Sequence, residues 1–442
     1  MDTRECYQLA RWAVARARDC GARDAAVDVV DEREIQVEFR DKQLEKLQES
    51  SRHALGISVY VNGRFSTQNT NDFRREPLSR FIEDAVALTK YLSEDPFRLL
   101  PDPKYYAGRE KKDLEARDPG YEALTTPERI DAARRAAESA AAAAASGRLV
   151  SVTAGFSDTL SRAVKVHSNG FEGDRERTSF SVYANPTLKD DQGKLVEEYT
   201  AGATRRRKDL PDAAKIGAEA TERAARRIGQ AKIRSEVTDM IVENRVGSQV
   251  LGALVGPLSG AALQQKQSYL EGQLGKKIGS ELLTLIDDPF IPRGLGSRLF
   301  DGEGITSRRM PIVEKGVLKA YYIDSYYGRK LTMEPTTGSP SNLVLEGGAK
   351  SRDEIIRGVS RGIFVTGFIG GNSNPTTGDF SMGISGMLIE NGRMARPVFE
   401  MNISGSLKTL WGSLTEVGND PYVFSSWRVP TLRFSDVQFS GL

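Results

Sequence analysis

Between Val250 and Gly260 the sequence reads VLGALVGPLSG, a pattern that leaves little freedom in how this part of the chain can pack. Val250, Leu254 and Leu258 recur every four residues with Leu251 and Val255 beside them, the period of a helix with one apolar face. Gly252, Gly256 and Gly260 recur at the same interval, so a second stripe carries no side chain and admits another backbone. Pro257 lies inside the pattern, removes one i to i−4 hydrogen bond and predicts a kink. Each interior glycine costs about 1 kcal/mol against alanine and the proline about 3 kcal/mol, so propensity did not select this helix. Packing against the rest of the chain has to hold it.

At 442 residues the chain exceeds one ordinary core and predicts two or three domains. Sixty-two basic against sixty acidic residues leave a formal charge of +2, so no strong field draws in nucleic acid or an anionic membrane. The densest basic run, Arg205-Arg206-Arg207-Lys208, reads as the solvated approach to a helix. Ala140 to Ala145 is the longest weakly apolar run, far short of the roughly 18 residues of a membrane span. The start, MDTRECYQ, has no apolar signal core, and the expected location is the cytoplasm.

The residues of hydrolytic chemistry are scarce. Cys6 and Cys20 are the only cysteines, and on one helix they would lie about 21 Å apart, too far to bridge, which leaves buried packing as their expected role. His53 and His167 are the only histidines, and they fall in different predicted strands, so a shared metal site needs further carboxylate ligands. No G-x-S-x-G elbow or Walker loop is present.

Taken in order, Asp2 or Thr3 caps a first helix whose stripe is Cys6, Ala10, Ala13, Ala17 and Cys20. Ile35, Val37 and Phe39, then Leu55, Ile57, Val59 and Val61, alternate with polar residues as half-buried strands, and Asn62-Gly63 turns a hairpin. Leu78 to Leu92 predicts a helix with Leu78, Phe81, Ile82, Ala85 and Leu88 on one face. The pattern places an N-terminal α+β domain over 1–100. Residues 101–120, rich in proline and mixed charge, read as a linker.

Thr126-Pro127-Glu128 starts an alanine-rich helix running to Ser146 and stopped by Gly147, expected to pack closely on a sheet. Strands near Val150–Gly155, Ala163–His167 and Thr178–Tyr183, another ending near Thr200, and a helix from Pro211 to Ile228 complete a middle α+β domain over 121–230. Residues 231–442 form a β-rich C-terminal domain carrying the glycine-rich helix. It includes a buried strand at Val237–Val242 and hairpins turning at Lys315-Gly316 and Asn391-Gly392. The fold class is therefore α+β and multi-domain, with N-terminal α/β sandwich-like modules before the β-rich part.

Asp287, Asp288, Asp301 and Glu303 suggest a carboxylate metal site, but no loop spacing supports one, and turn chemistry beside Pro289 and Gly302 is the simpler reading. Tyr321, Tyr322, Tyr326 and Tyr327 suit either an aromatic peptide-binding surface or core and rim packing, with packing favoured. GGNSNPTTGDFSMGISG reads as a long polar loop after a strand at Ile363–Ile369.

The string from Leu251 through Gly260 with the following LEGQLGKKI resembles the TldD/PmbA family, and DGEG, SYYGRKL, TGDFSMG, ENG and VGND extend the resemblance over essentially the whole chain. The catalytic member of that family places H-E-x-x-x-H on this helix, two histidines holding a metal and the glutamate polarising its water. Laid onto this sequence, the first histidine falls on Gly252, the glutamate on Ala253 and the second histidine on Pro257, and the tail VGNDPYVFSSWRVPTLRFS has no cysteine to match the family's further ligand. The resemblance is thus to the PmbA (TldE) branch. It implies no catalytic, cofactor or metal residues in this chain, and a TldD-like metallopeptidase subunit as partner that binds a divalent metal, expected to be zinc. The pair would process or degrade unfolded peptides. The glycine stripe would then be a packing surface retained from the fold. Two other classes stay open: a stand-alone peptide-binding homodimer without catalysis, and an independent enzyme using carboxylates and water.

Overall fold

The computed structural model describes residues 1–145 and 147–442. Ser146, where sequence reading ends the alanine-rich helix, lies outside the described residues. The N-terminal half comprises α1 (Thr3–Asp19), β1 (Asp24–Arg40), β2 (Gln43–Val61), β3 (Arg64–Thr70), α2 (Arg75–Thr89), α3 (Thr126–Ala143), β4 (Leu149–His167), β5 (Glu172–Lys189), β6 (Leu195–Glu197), β7 (Thr200–Thr204) and α4 (Ala213–Arg226). All its strands join one seven-stranded sheet in the order β3-β2-β1-β4-β5-β6, with β7 also paired to β5.

Alternation explains how one sheet carries two helical layers. In β1 the odd residues Val27 and Val29, then Ile35, Val37 and Phe39, are buried, so one face carries two apolar stretches separated by the half-buried Asp31 and Arg33. Helices α1 and α2 pack on the end bearing Val27 and Val29, and α3 and α4 cover the end bearing Val37 and Phe39. The short strands expected from sequence are therefore parts of longer ones: Val150–Gly155 and Ala163–His167 both belong to β4, and Leu55–Val61 is the second half of β2. The first half of β2 is exposed on both faces, so it lacks the apolar alternation that marks a strand.

Caps set the helix starts. Asp2 and Glu5 exchange backbone bonds of 2.8 Å at α1. At α3 the cap is Thr125, one residue before the expected Thr126, with Glu128 closing the box. On α2, Val86 is buried while Leu88 is 59% exposed, correcting the predicted face. Helix α3 buries Ala133, Ala136, Ala137 and Ala140 against both the sheet and α4. The approach to α4 is so close that a Cβ on Gly217 would fall 2.1 Å from the carbonyl oxygen of Ala136. Beneath α3, Arg129 and Asp158 form a buried two-pronged pair, Nε to Oδ2 at 2.5 Å and Nη2 to Oδ1 at 3.0 Å.

The C-terminal half contains β8 (Glu236–Val242), α5 (Gly247–Val255), α6 (Gly260–Gln264), β9 (Leu285–Asp287), β10 (Met310–Glu314), β11 (Val317–Leu318), α7 (Ser325–Leu331), β12 (Leu343–Leu345), α8 (Arg352–Arg357), β13 (Arg361–Ser373), β14 (Asp379–Glu390), β15 (Arg393–Ser406), α9 (Leu407–Leu410), β16 (Leu414–Val417), β17 (Trp427–Arg428) and β18 (Leu432–Ser440). One sheet runs β15-β14-β13-β8-β18-β16, and a further β15–β18 pairing closes five of these strands into a ring. A smaller sheet runs β11-β10-β9-β12-β17. The predicted polar loop is instead a hairpin of β13 and β14 with only 374–378 between them. Its residues are largely exposed, and Gly370 and Gly371 take positive φ.

The two halves are tied by charge and backbone. Arg223 of α4 binds Glu243 after β8 through contacts of 2.7 and 2.8 Å, and Arg245 before α5 reaches Glu219 of α4 at 2.7 Å. The segment 101–120 is stitched to both: Arg293 N–H donates to the Leu114 carbonyl at 2.8 Å, and Thr178 N–H of β5 to the Ala116 carbonyl at 3.0 Å. Among the described residues no helix is long and apolar enough to cross a membrane.

Candidate functional site

The glycine-rich segment does not form one kinked helix. α5 stops at Val255, residues 256–258 tighten to a single 3-10 turn, and Ser259 turns to extended backbone before capping α6 through Ala262 N–H at 3.3 Å. Pro257 cannot donate the next helical bond and, with Gly256 before it and Gly260 three residues on, the chain breaks where a stiffer sequence would bend. Val250, Leu251, Leu254, Val255 and Leu258 enter the C-terminal core as the periodicity predicts.

The glycine stripe is not one packing surface. A Cβ on Gly260 would meet Tyr327 Cβ at 2.7 Å, one on Gly252 would come no closer than 3.7 Å to the Trp427 ring, and one on Gly256 would meet nothing within 4 Å. Gly256 is exposed, and Gly252 and Ala253 are half-buried on the same open side. Gly252, Ala253 and Pro257 carry no donor atom for a metal in their side chains, so the residues present do not fit a zinc ion on this helix.

The other candidate groups are engaged elsewhere. Asp287 is buried and accepts from Ser341 N–H at 3.0 Å, the Ser341 hydroxyl and Tyr322 OH at 3.0 Å. Burial raises its pKa above the usual carboxylate value against the pull of these donors. Asp288 accepts from Phe290 N–H at 2.9 Å. Asp301 takes the amides of Glu303 and Ile305 at 2.9 and 3.0 Å, and Glu303 caps α7 through Ser325 N–H at 2.7 Å. Among the described residues no three His, Cys, Asp or Glu side chains converge on a common point. Tyr321, Tyr322 and Tyr326 are 5%, 2% and 9% exposed and Tyr327 is half-buried, so three of the four tyrosines are core and the fourth lies at its rim.

His53 and His167 lie on opposite neighbours of β1, opposite Asp31 and Ala26 respectively. His167 is buried beside Tyr106, whose hydroxyl lies 3.1 Å from Nδ1, and burial pulls its pKa down to about 3. Cys6 is buried and Cys20 partly so.

A cavity of about 550 Å³ opens where β5, the 112–117 segment and the C-terminal loops meet. Its wall carries Arg175, Arg177, Arg205, Arg206 and Arg298, and reaches Trp427, whose ring faces Gly252 of α5. The sequence reading placed Arg205 in a solvated basic run. It is instead 7% exposed, with Nη1 donating to the Thr178 carbonyl at 3.1 Å and Nη2 to that of Leu295. Nothing local distinguishes Arg205 from Arg206 and Arg207; the C-terminal loop that covers it is ninety residues away in sequence.

Residues 25–89, 120–228 and 235–441 match the PmbA/TldA metallopeptidase domain 1, central domain and C-terminal domain in turn. The chain belongs to the PmbA/TldE family. It is 28% identical to the metalloprotease PmbA of Escherichia coli O157:H7 over 92% of this chain and 90% of that protein. A crystal structure from Bacteroides thetaiotaomicron, of a protein whose name proposes it as a modulator of DNA gyrase, superposes with TM-score 0.97 at 40% identity over 100% of both chains. TldE from Thermococcus kodakarensis shares the fold, with TM-score 0.84 at 21% identity over 98% of this chain and 100% of its own.

Proposed function

We propose that this chain is the non-catalytic subunit of a TldD/TldE-type peptidase, completing the peptide path of a TldD-like partner that carries the metal, expected to be zinc. The observation that carries this reading is α5 with its following turn. At the three positions where the family's catalytic member has histidine, glutamate and histidine, this chain has Gly252, Ala253 and Pro257, and none offers a ligand or a base. An extended, unfolded peptide would be held chiefly through its main chain. β13 supports this, since beyond its parallel pairing with β8 at Gly362–Val365 its remaining residues pair only with β14 among the described strands. A free edge of this kind can accept another strand with little side-chain selectivity.

The experiment compares the purified chain alone with the chain mixed with the TldD-like protein of the same cell, reading metal content and cleavage of an unfolded polypeptide. The expected result is no stoichiometric metal and no cleavage alone, with cleavage in the mixture above that of the partner by itself. Metal and cleavage in the chain alone would overturn the proposal and point to the independent enzyme. Peptide binding by a homodimer, with no effect on the partner, would favour the binding module.

A further inference from the structure

The cavity beside β5 is built in a way that folding alone does not account for. Arg175 and Arg177 are two apart on β5, opposite Ala163 and Ser161 of β4, and therefore project from one face. Neither side chain makes a hydrogen bond or an ion pair among the described residues, and the Arg175 guanidinium carbon lies 5.3 Å from the centre of the Phe300 ring. Arg205 is more than nine-tenths buried, has no carboxylate partner, and its Nε finds no acceptor. Arg298, from the opposite wall, reaches only Thr337 and Ser339, and its Nε is likewise without an acceptor.

None of the acidic residues of the wall bonds Arg175, Arg177, Arg205 or Arg298. Glu176 is held by Arg117 and Arg162 at 2.9 Å each, and Glu115 by Arg206 and Arg293 at 3.0 Å each. Asp174 accepts from Tyr7 OH at 2.8 Å, and Asp113 from the Glu115 amide at 2.7 Å. The arginines also act on one another. Burial, with the charge of Arg177, draws Arg205 down to about 10, and Arg175 is lowered by burial and by Arg177, against the raising charges of Asp28 and Asp301. The charge of Arg298 acts on Asp287, but none of these carboxylates bonds an arginine of the cluster, so the unbonded guanidinium donors of Arg175 are left for an anion.

We infer that Arg175, Arg205 and Arg298 form a carboxylate-binding subsite for a peptide, taking an acidic side chain or a chain-terminal carboxylate. The inference rests on the peptide-handling reading above and adds a chemical preference to it. A planar guanidinium presents paired donors that match a carboxylate. The cavity lining also includes Trp427, an apolar surface for the residue beside the anchored one. Because Trp427 also faces Gly252, a peptide anchored here passes the helix where the family's catalytic member holds its metal.

The test is direct binding of fluorescein-labelled unstructured peptides to the full chain without its partner, so that it does not depend on cleavage. Three peptides of one length are compared: one with internal glutamates and an amidated end, one neutral with a free carboxylate, and one neutral and amidated. The expected result is that at least one carboxylate peptide binds roughly tenfold or more tightly than the neutral amidated one, and that added salt weakens it. Which of the two binds distinguishes the side-chain from the terminal carboxylate. Arg175→Gln and Arg298→Gln should each lose roughly tenfold in affinity for that peptide alone, while circular dichroism and melting temperature report that the chain is folded. Equal binding of all three peptides, or variants that bind as the parent does, overturns the inference while leaving the subunit reading intact. Binding of no peptide, or a single-stranded oligonucleotide competing as well as the acidic peptide, also overturns it. Failure of the subunit reading would appear separately, in the mixing experiment.

Discussion

Two arginine sites on the same long sheet differ in how their charge is met. Beneath α3, Arg129 meets Asp158 in a dry two-pronged pair and gives its remaining Nη1 to the Leu124 carbonyl at 2.6 Å. At the β5 end, Arg175, Arg205 and Arg298 share a cavity in which none of them is bonded to a carboxylate. A completed pair serves the fold, because removing either partner strands a buried charge. An uncompleted cluster cannot be accounted for in that way, and its arrangement suits a ligand that brings the missing charge.

The comparison breaks most clearly at the completed pair. Arg129→Leu should destabilise the chain by about 3–5 kcal/mol, read by denaturant unfolding, since Asp158 is left buried without a partner. A change under about 1 kcal/mol would mean that the pair is not dry and that the contrast is false.

Acid offers a second test in the same half. The buried imidazole of His167 titrates at about 3 when folded, against an ordinary value near 6.5, so the unfolded chain binds the proton first. Its contribution is fully present above about pH 6.5 and fades as pH falls toward 3, by at most about 1.4 kcal/mol per pH unit. Unfolding midpoints measured from pH 7 to pH 4 should fall less steeply in His167→Gln than in the parent. Parallel profiles would show that His167 takes up its proton while folded.

The broken glycine helix sharpens the contrast on a smaller scale. Gly260→Ala should cost about 1–3 kcal/mol, because its Cβ must displace Tyr327. Gly256→Ala has free space and helical backbone, and should be neutral or stabilising by up to about 1 kcal/mol. Equal losses in thermal melts would restore the continuous packing stripe. Smallest of all, Arg175→Gln should leave stability within about 0.5 kcal/mol. A larger loss would mean that Arg175 supports the fold, and the uncompleted cluster would resemble the completed pair after all.

Much of this architecture is legible locally. Asn62-Gly63, Lys315-Gly316 and Asn391-Gly392 all turn hairpins with positive φ at both residues, as their side chains allow. Asp2 with Glu5 starts α1, and the four-residue apolar spacing at Val250, Leu254 and Leu258 places α5 in the core. What was not legible has a common cause. Gln43–Arg52 and the distal part of β13 from Ile369 to Ser373 have no buried face, so their order comes from ladder bonds to neighbours and leaves no apolar period. On the helix at Val250, the period of side chains was readable but the contacts of its glycines were not. Whether Gly260 is crowded and Gly256 free depends on Tyr327, placed by another part of the chain.

By itself, then, the sequence determined the elements whose cause lies within a few residues: capped helices, glycine turns, half-buried strands, and the apolar face of the helix at Val250. Tertiary structure alone decided that two helical layers share one sheet, and that the C-terminal strands close on themselves. It also decided that Arg205, one of four successive basic residues, is buried against a loop ninety positions away while Arg207 faces Glu128. Burial and charge pairing are properties of chain segments brought together in space, and sequence spacing carries no record of which segments will meet.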